Sequence, residues 1–184
     1  MSERPSTLVI IDRDGVINED SDEYIKTVAE WQPIAGSLEA IAALTQAGVR
    51  VAVVTNQSGV ARGLLDEDTL RAIHGHMIAA VRASGGELAG IYYCPHLPGA
   101  GCECRKPGPG LFRALERELK LAVRGAPYIG DKVSDLNAAD ALGAVPIFMR
   151  TGKGRAAEAA AIARGVAVFD DLWGAAQALL GGWR

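Results

Sequence analysis

Short apolar runs rich in β-branched residues alternate along the chain with stretches whose apolar positions recur at helical spacing. LVIID (8–12) is apolar without a break up to an acid, as expected of a strand covered on both faces. RVAVVTN (50–56), LAGIYYC (88–94), APYIGD (126–131) and VPIFMR (145–150) repeat that pattern. Between them, SLEAIAALTQAG (37–48) opens on a capping serine and closes on glycine, which predicts a helix. DEDTLRAIHGHMIAAVRASGG (66–86) predicts the next, Pro109 starts a third ahead of LFRALERELKLA (111–122), and SDLNAADALG (134–143) is a short fourth. RAAEAAAIARG, VAVFDD and LWGAAQALLGG complete the alternation. Parallel strands need long crossover connections, so this rhythm predicts a mainly parallel sheet wrapped by helices: a Rossmann-like three-layer α/β/α sandwich. No repeat, low-complexity tract or linker divides 1–184, which is expected to be a single domain. The irregular polar stretch GVINEDSDEYIKTVAEWQP (15–33) reads as a flap, too small for a separate cap domain.

Composition narrows the function classes. Apolar residues make up 49% and charged residues 22%, the balance of a soluble globular chain, and a net charge of -3 leaves no basic footprint for nucleic acid. The start MSERPST followed by LVII is too short for a signal-peptide core or a membrane span. The cytoplasm is the expected location, where thiols stay reduced and clustered cysteines point to metal. With no obvious exposed apolar helix, a monomer is expected.

Ligands in parallel α/β folds bind beyond the carboxyl ends of the strands, so the residues at the strand tips carry the chemistry. The first strand ends in IDRDGV, giving Asp12 and Asp14; the second ends in VTNQSG, giving Thr55, Asn56, Gln57 and Ser58. The third leads toward Arg105 and Lys106, and the fourth ends in IGDKVSD, giving Asp131, Lys132 and Asp135. Carboxylates converging from distant strands resist joint ionisation unless a cation lies between them. Magnesium suits Asp12, Asp14 and Asp131, since it takes carboxylate oxygens and keeps positions for water and a phosphate. Asp12 can attack phosphorus to form an aspartyl-phosphate. Asp14 can protonate the leaving alkoxide and then deprotonate the attacking water. Thr55 and Lys106 would hold the phosphoryl oxygens.

All three cysteines of the chain fall in CPHLPGAGCECRKP (94–107). Cys94, His96, Cys102 and Cys104 form a closed set for tetrahedral zinc, with no open position for water, so the expected role is structural. The intervening LPGAG has little apolar content of its own, and metal binding would supply its ordering free energy. Arg105 and Lys106 follow the last ligand directly, so a zinc here would fix where those cations point. A metal-free cysteine cluster is the alternative. His74 and His76 stand two apart on a helix and read as packing or surface residues. GKGRAA (152–157) fits a dinucleotide pattern but follows the fifth strand rather than the first, which makes it weak.

Together, DxDGV, VTNQS, the lysine of RKP and GDxxSD, in that order, resemble the haloacid-dehalogenase-like phosphatases over residues 8–135. CxH…CxCRKP narrows the resemblance to two zinc-bearing branches, one acting on heptose 1,7-bisphosphate and the other on histidinol phosphate. TNQSGVARG, GIYYCPH and RTGK look like the heptose branch, which serves ADP-heptose and lipopolysaccharide core synthesis; the short loop between His96 and Cys102 is similar in length to the histidinol branch. The heptose resemblance implies substrate contacts from Asp12, Asp14, Asp20, Thr55, Asn56, Gln57, Ser58, Arg105, Lys106 and Lys132. A bisphosphate sugar carries a second anion, for which Arg62 and Arg105 are spare cations. Asp20 and Tyr24, on the flap, are placed to meet sugar hydroxyls. A reading from another class, a zinc-stabilised sugar-phosphate-binding protein without turnover, is weakened by the presence of both Asp12 and Asp14.

Overall fold

A computed structural model describes residues 7–182, so the polar start over 1–6, read above as too short for targeting, lies outside the described residues. Six strands, β1 (Leu8–Ile11), β2 (Arg50–Asn56), β3 (Gly90–Cys94), β4 (Pro127–Gly130), β5 (Val145–Met149) and β6 (Ala167–Phe169), form one sheet in the order β3-β2-β1-β4-β5-β6. Every pairing is parallel. On β1 the side chains divide by parity. Val9 and Ile11 join a core with α1 (Ser37–Gln46), α2 (Glu67–Ala83) and α6 (Leu172–Leu180). Leu8 and Ile10 join a second core on the other face, with α3 (Gly110–Leu119) and α4 (Val133–Leu142). The uninterrupted apolar run thus becomes two buried faces of one strand, and the three-layer expectation holds. Each fully buried aliphatic side chain contributes roughly 1.5–3 kcal/mol, so sandwiching is what stabilises strands this short. Helix α5 (Gly154–Ala163) packs Ala161 on Leu136 and Phe148 beside the second core.

The chain runs outward from β1 through β2 to β3, then returns to place β4 on the other side of β1. This reversal leaves a crevice outside the carboxyl ends of β1 and β4, the natural ligand position in such a sheet. The segment between β1 and α1 contains only a 3-10 turn at Val28–Glu30 and two isolated bridges, in keeping with a flap.

Three local expectations differ. Ser37 does not cap α1: Gly36 holds the cap position, and the Ser37 hydroxyl donates to Ile17 O at 2.6 Å, tying the helix start to the flap's base. Helix α3 stops at Leu119 because Lys120 turns into the left-handed region at φ 57°, ahead of the predicted end at 122. The third strand begins at Gly90 rather than at residue 88. Elsewhere the side-chain chemistry fits: Asp66 caps α2 by accepting from the Thr69 amide at 2.7 Å.

Candidate active site

The crevice at the β1 and β4 tips is a cleft of about 270 Å³, lined in part by Asp12, Asp14, Thr55, Lys106 and Lys132. Leaving β1, the chain turns sharply at Gly15, whose φ of 83° and missing side chain let Asp131 come close: a Cβ there would collide with Asp131 Oδ2. Asp12 is only 3% exposed. It accepts from the Arg13 amide at 2.7 Å, and its Oδ2 lies 3.0 Å from Lys106 Nζ.

Asp14 is held on all sides. Its Oδ1 accepts from Arg13 Nε at 2.9 Å, Arg13 Nη2 at 2.8 Å and Asn18 Nδ2 at 2.9 Å. Its Oδ2 accepts from Gln57 Nε2 at 2.8 Å, and the same amide reaches Thr55 Oγ1 at 3.0 Å. Burial acts to raise the Asp14 pKa, but the Arg13 charge and the Asn18 and Gln57 hydrogen bonds outweigh it and hold the group below the usual carboxylate range. Arg13 is itself fully buried and donates onward from Nη1 to His74 Nε2 at 3.2 Å. Burial first, then the Arg13 charge, depresses the His74 pKa to about 3.

Lys106 reaches the cleft from the cysteine loop. Its ammonium donates to Val54 O at 2.9 Å and Asp135 Oδ1 at 2.8 Å, with Asp12 as third partner. Asp135 also accepts from Tyr128 Oη at 2.8 Å and from the Lys132 amide at 3.1 Å, so it serves as an orienting anchor for Lys106. Burial acts to lower the Lys106 pKa, yet Asp12 and Asp135 outweigh it and keep the ammonium charged.

A metal site follows from the remaining oxygens. Carboxylate oxygens of Asp12, Asp131 and Asp135 lie within 4.8 Å of one another. Asp135 is already saturated by donors, whereas buried Asp131 Oδ1 has no hydrogen-bond partner. Burial, resisted by Lys132, pushes Asp131 up to about 7, and burial raises Asp12 as well against the pull of Lys106. A divalent cation between them reverses both effects, so the donor set fits magnesium. The sequence expectation placed the Asp14 carboxylate in this set. Its two oxygens are instead taken up by Arg13, Asn18 and Gln57, and what Asp14 turns toward the cluster is its main-chain oxygen, 3.2 Å from Lys132 Nζ. That ammonium sits among Asp131 (3.3 Å), Asp20 (3.6 Å) and Asp12 (3.9 Å).

The second cluster is sulfur-rich. Cys94, His96, Cys102 and Cys104 bring their ligand atoms within 4.8 Å of one another, and the three thiols are unbridged. Cys94 Sγ lies 3.1 Å from Cys104 Sγ and 3.4 Å from His96 Nδ1, a soft donor set that fits zinc. Immediately downstream, Lys106 N donates to Asn56 Oδ1 at 3.0 Å and Asn56 Nδ2 donates to Lys106 O at 3.2 Å. This reciprocal pair staples the loop to the tip of β2.

Asp20, Tyr24, Asn56, Gln57 and Arg105 also line the cleft. Ser58 and Arg62 are not among its lining residues: Ser58 is 8% exposed, and the Arg62 guanidinium sits 5.7 Å from the Tyr24 ring centroid. Tyr24 adopts φ 64°, a conformation unusual for a bulky residue. Sequence reasoning gave no role to Arg13 or Tyr128; His74, expected as a packing or surface residue, is buried against Arg13, and Lys153 lines the cleft. Lys153 pairs with Asp22 at 2.6 Å, joining the flap to the loop after β5, and Asp170 pairs with Arg150 at 2.8 Å.

Comparison with known proteins gives a consistent family. A family model described as HAD-hydrolase-like matches residues 103–175. A Pseudomonas putida protein named D-glycero-beta-D-manno-heptose-1,7-bisphosphate 7-phosphatase is 49% identical over 173 residues, covering 94% of this chain and 99% of that one. The protein of that name from Bordetella bronchiseptica is 47% identical over 174 residues, covering 94% and 97%. Among solved structures, the D,D-heptose 1,7-bisphosphate phosphatase of B. bronchiseptica, complexed with magnesium and phosphate, superposes with a TM-score of 0.88 at 45% identity, over 95% of this chain and 98% of that one.

Proposed function

The chain belongs to the HAD-hydrolase-like family, and from that premise we propose that it is a magnesium-dependent phosphatase releasing the 7-phosphate of D-glycero-β-D-manno-heptose 1,7-bisphosphate. The observation that carries this reading is the buried trio at the sheet's switch point: Asp12 against Lys106 at 3.0 Å, with Asp131 in the same carboxylate cluster, its Oδ1 free of hydrogen bonds and facing the Lys132 ammonium at 3.3 Å. The Pseudomonas and Bordetella relatives, 49% and 47% identical, are named for this reaction and for the β anomer. They favour the heptose substrate over histidinol phosphate.

Asp12 attacks the 7-phosphoryl group and becomes an aspartyl-phosphate, while Asp14 gives its proton to the departing sugar oxygen. Asp14 is held ionised in the free site, and the charge of the arriving phosphate raises its pKa toward the protonated form the first step needs. In the second step the carboxylate takes a proton from water, which attacks the phosphoryl group and returns Asp12 to its free state. The three hydrogens of the Lys106 ammonium are committed to Val54, Asp135 and Asp12, so it meets a phosphoryl oxygen by sharing the hydrogen directed at Asp12. Thr55, whose oxygen accepts from Gln57, donates a hydroxyl hydrogen bond to the same group. Magnesium, held by Asp12, Asp131 and the main-chain oxygen of Asp14, would neutralise the dianion so that it can approach a carboxylate. Lys132, Asp20 and Arg105 face the remainder of the sugar and its second phosphate. Cys94, His96, Cys102 and Cys104 would hold a zinc that braces the loop bearing Arg105 and Lys106. No helix among the described residues is long and apolar enough to cross a membrane. We assign the enzyme to the cytoplasm as a monomer, in the supply of lipopolysaccharide core precursors.

Side-by-side phosphate release from the heptose bisphosphate and from histidinol phosphate tests the assignment. The expected result is a preference for the heptose of about 100-fold or more in kcat/KM; a preference for histidinol phosphate overturns it. Asp12→Asn should abolish release with fold and zinc intact, and substantial residual turnover would contradict covalent catalysis.

A further inference from the structure

The loop following β5, carrying the RTGKG stretch, holds none of the residues given a part in the reaction. It does not run free. Arg150 fixes its start through a main-chain bond to Phe169 O at 2.9 Å and side-chain bonds to Glu158 and Asp170. The Gly154 amide closes it by donating to Thr151 O at 2.9 Å. Between these anchors, the Thr151 hydroxyl donates to Gly15 O at 2.6 Å, in the turn that separates Asp12 and Asp14 from the flap. The Lys153 amide donates to Asp131 Oδ2 at 2.9 Å. Gly152, at φ 57°, passes so close that a Cβ would collide with both Asp131 Oδ2 and Gly15 Cα.

We infer that the main chain of 151–153 is a positioning device for Asp131, and that it sets the divalent-cation affinity of the site. The inference rests on the reading of Asp131 as a magnesium ligand. With Oδ2 engaged by an amide, the carboxylate cannot rotate freely about its last bond. Oδ1 is left without a hydrogen bond, facing only the Lys132 ammonium at 3.3 Å, in a residue that shares a carboxylate cluster with Asp12. A ligand fixed before the ion arrives loses less freedom on binding than a mobile one. Outer-shell partners of metal ligands typically change affinity by about 10- to 100-fold. The Thr151 bond adds the second constraint, since it locks the loop to the β1 turn and hence sets Asp131 against Asp12.

The test is Mn²⁺ binding without substrate, read from the EPR signal of the free ion and competed with Mg²⁺, together with zinc content and thermal melting. Thr151→Val should bind Mn²⁺ about 10-fold more weakly and Thr151→Ser should restore wild-type affinity. Gly152→Ala should lose at least as much as Thr151→Val. Lys153→Ala should stay near wild type, because the bond to Asp131 comes from the main chain. A folded, zinc-loaded Thr151→Val with wild-type affinity overturns the inference, whether or not Gly152→Ala folds. A loss in Lys153→Ala equal to that in Thr151→Val overturns the main-chain assignment. A wild-type protein that binds no divalent ion at this site overturns the reading of Asp131 itself, which separates the two failures.

Discussion

Arg13, fully buried, closes a two-pronged contact on one oxygen of Asp14, with Nε at 2.9 Å and Nη2 at 2.8 Å. The guanidinium locks the orientation of the acid-base carboxylate and favours its charged form. Arg13→Met should therefore strand a buried charge, destabilising the fold by about 3–5 kcal/mol in urea unfolding at neutral pH. The sign of the pH effect follows from the depressed Asp14 pKa: its stabilisation is present above the unfolded-state value of 3.8 and fades as pH falls through the lower folded-state value. Without Arg13 that acid loss should begin at higher pH, and the acid limb of the kcat profile should move the same way. Arg13→Lys restores the charge without the fork and should fall between the two.

His74 accepts from Arg13 and packs edge-on against Tyr93 at 5.5 Å. Its folded-state pKa of about 3, against an ordinary 6.5, means that the unfolded chain binds the extra proton between those values. Stability should fall on acidification through that window, by up to roughly 1.4 kcal/mol per pH unit. His74→Met should flatten the slope, as measured by denaturant midpoints at several pH values.

Two lysines that both face Asp12 should separate cleanly. The Lys106 side chain is 1% exposed within a saturated ion set, while that of Lys132 is 32% exposed. Lys106→Met should lose activity together with about 3–5 kcal/mol of stability. Lys132→Met should lose activity with a smaller loss of stability, about 1–3 kcal/mol, because the Asp12 and Asp131 carboxylates it leaves are buried. Paired kinetic and unfolding measurements check the contrast.

Cys102→Ser removes one of four donors from the sulfur-rich loop. Zinc content should drop, and kcat/KM should fall by about 10- to 100-fold through displacement of Arg105, whose guanidinium bonds to His96 O within the loop. Full activity in a zinc-free variant would remove the bracing role of the metal.

The layered fold was legible because apolar runs bounded by acids and glycines carry it locally: LVIID and APYIGD announced both their strands and the acids at their tips. Asp12, Thr55 and Asp131 were legible for the same reason, since they stand at the ends of parallel strands, whereas Lys106 was legible only from the RKP run that follows the cysteines. Arg13 was not. It lies between two aspartates, and its burial depends on His74, 61 residues away on another element. The Asp14 carboxylate was misplaced because proximity to a metal-binding tip says nothing of where the side chain turns once Arg13, Asn18 and Gln57 compete for it. Ser37 misled because a serine at a helix start has two hydrogen-bonding options, and the carbonyl of Ile17 took it.

The reciprocal amide bonds between Asn56 and Lys106 bear on how this scaffold can diversify. Because they pin the lysine from the neighbouring strand, the number of residues spanning His96 to Cys102 is uncoupled from the chemistry. That exposed span can change length while the catalytic cation stays put. Loop length and the position of the phosphoryl-binding lysine are thereby separable.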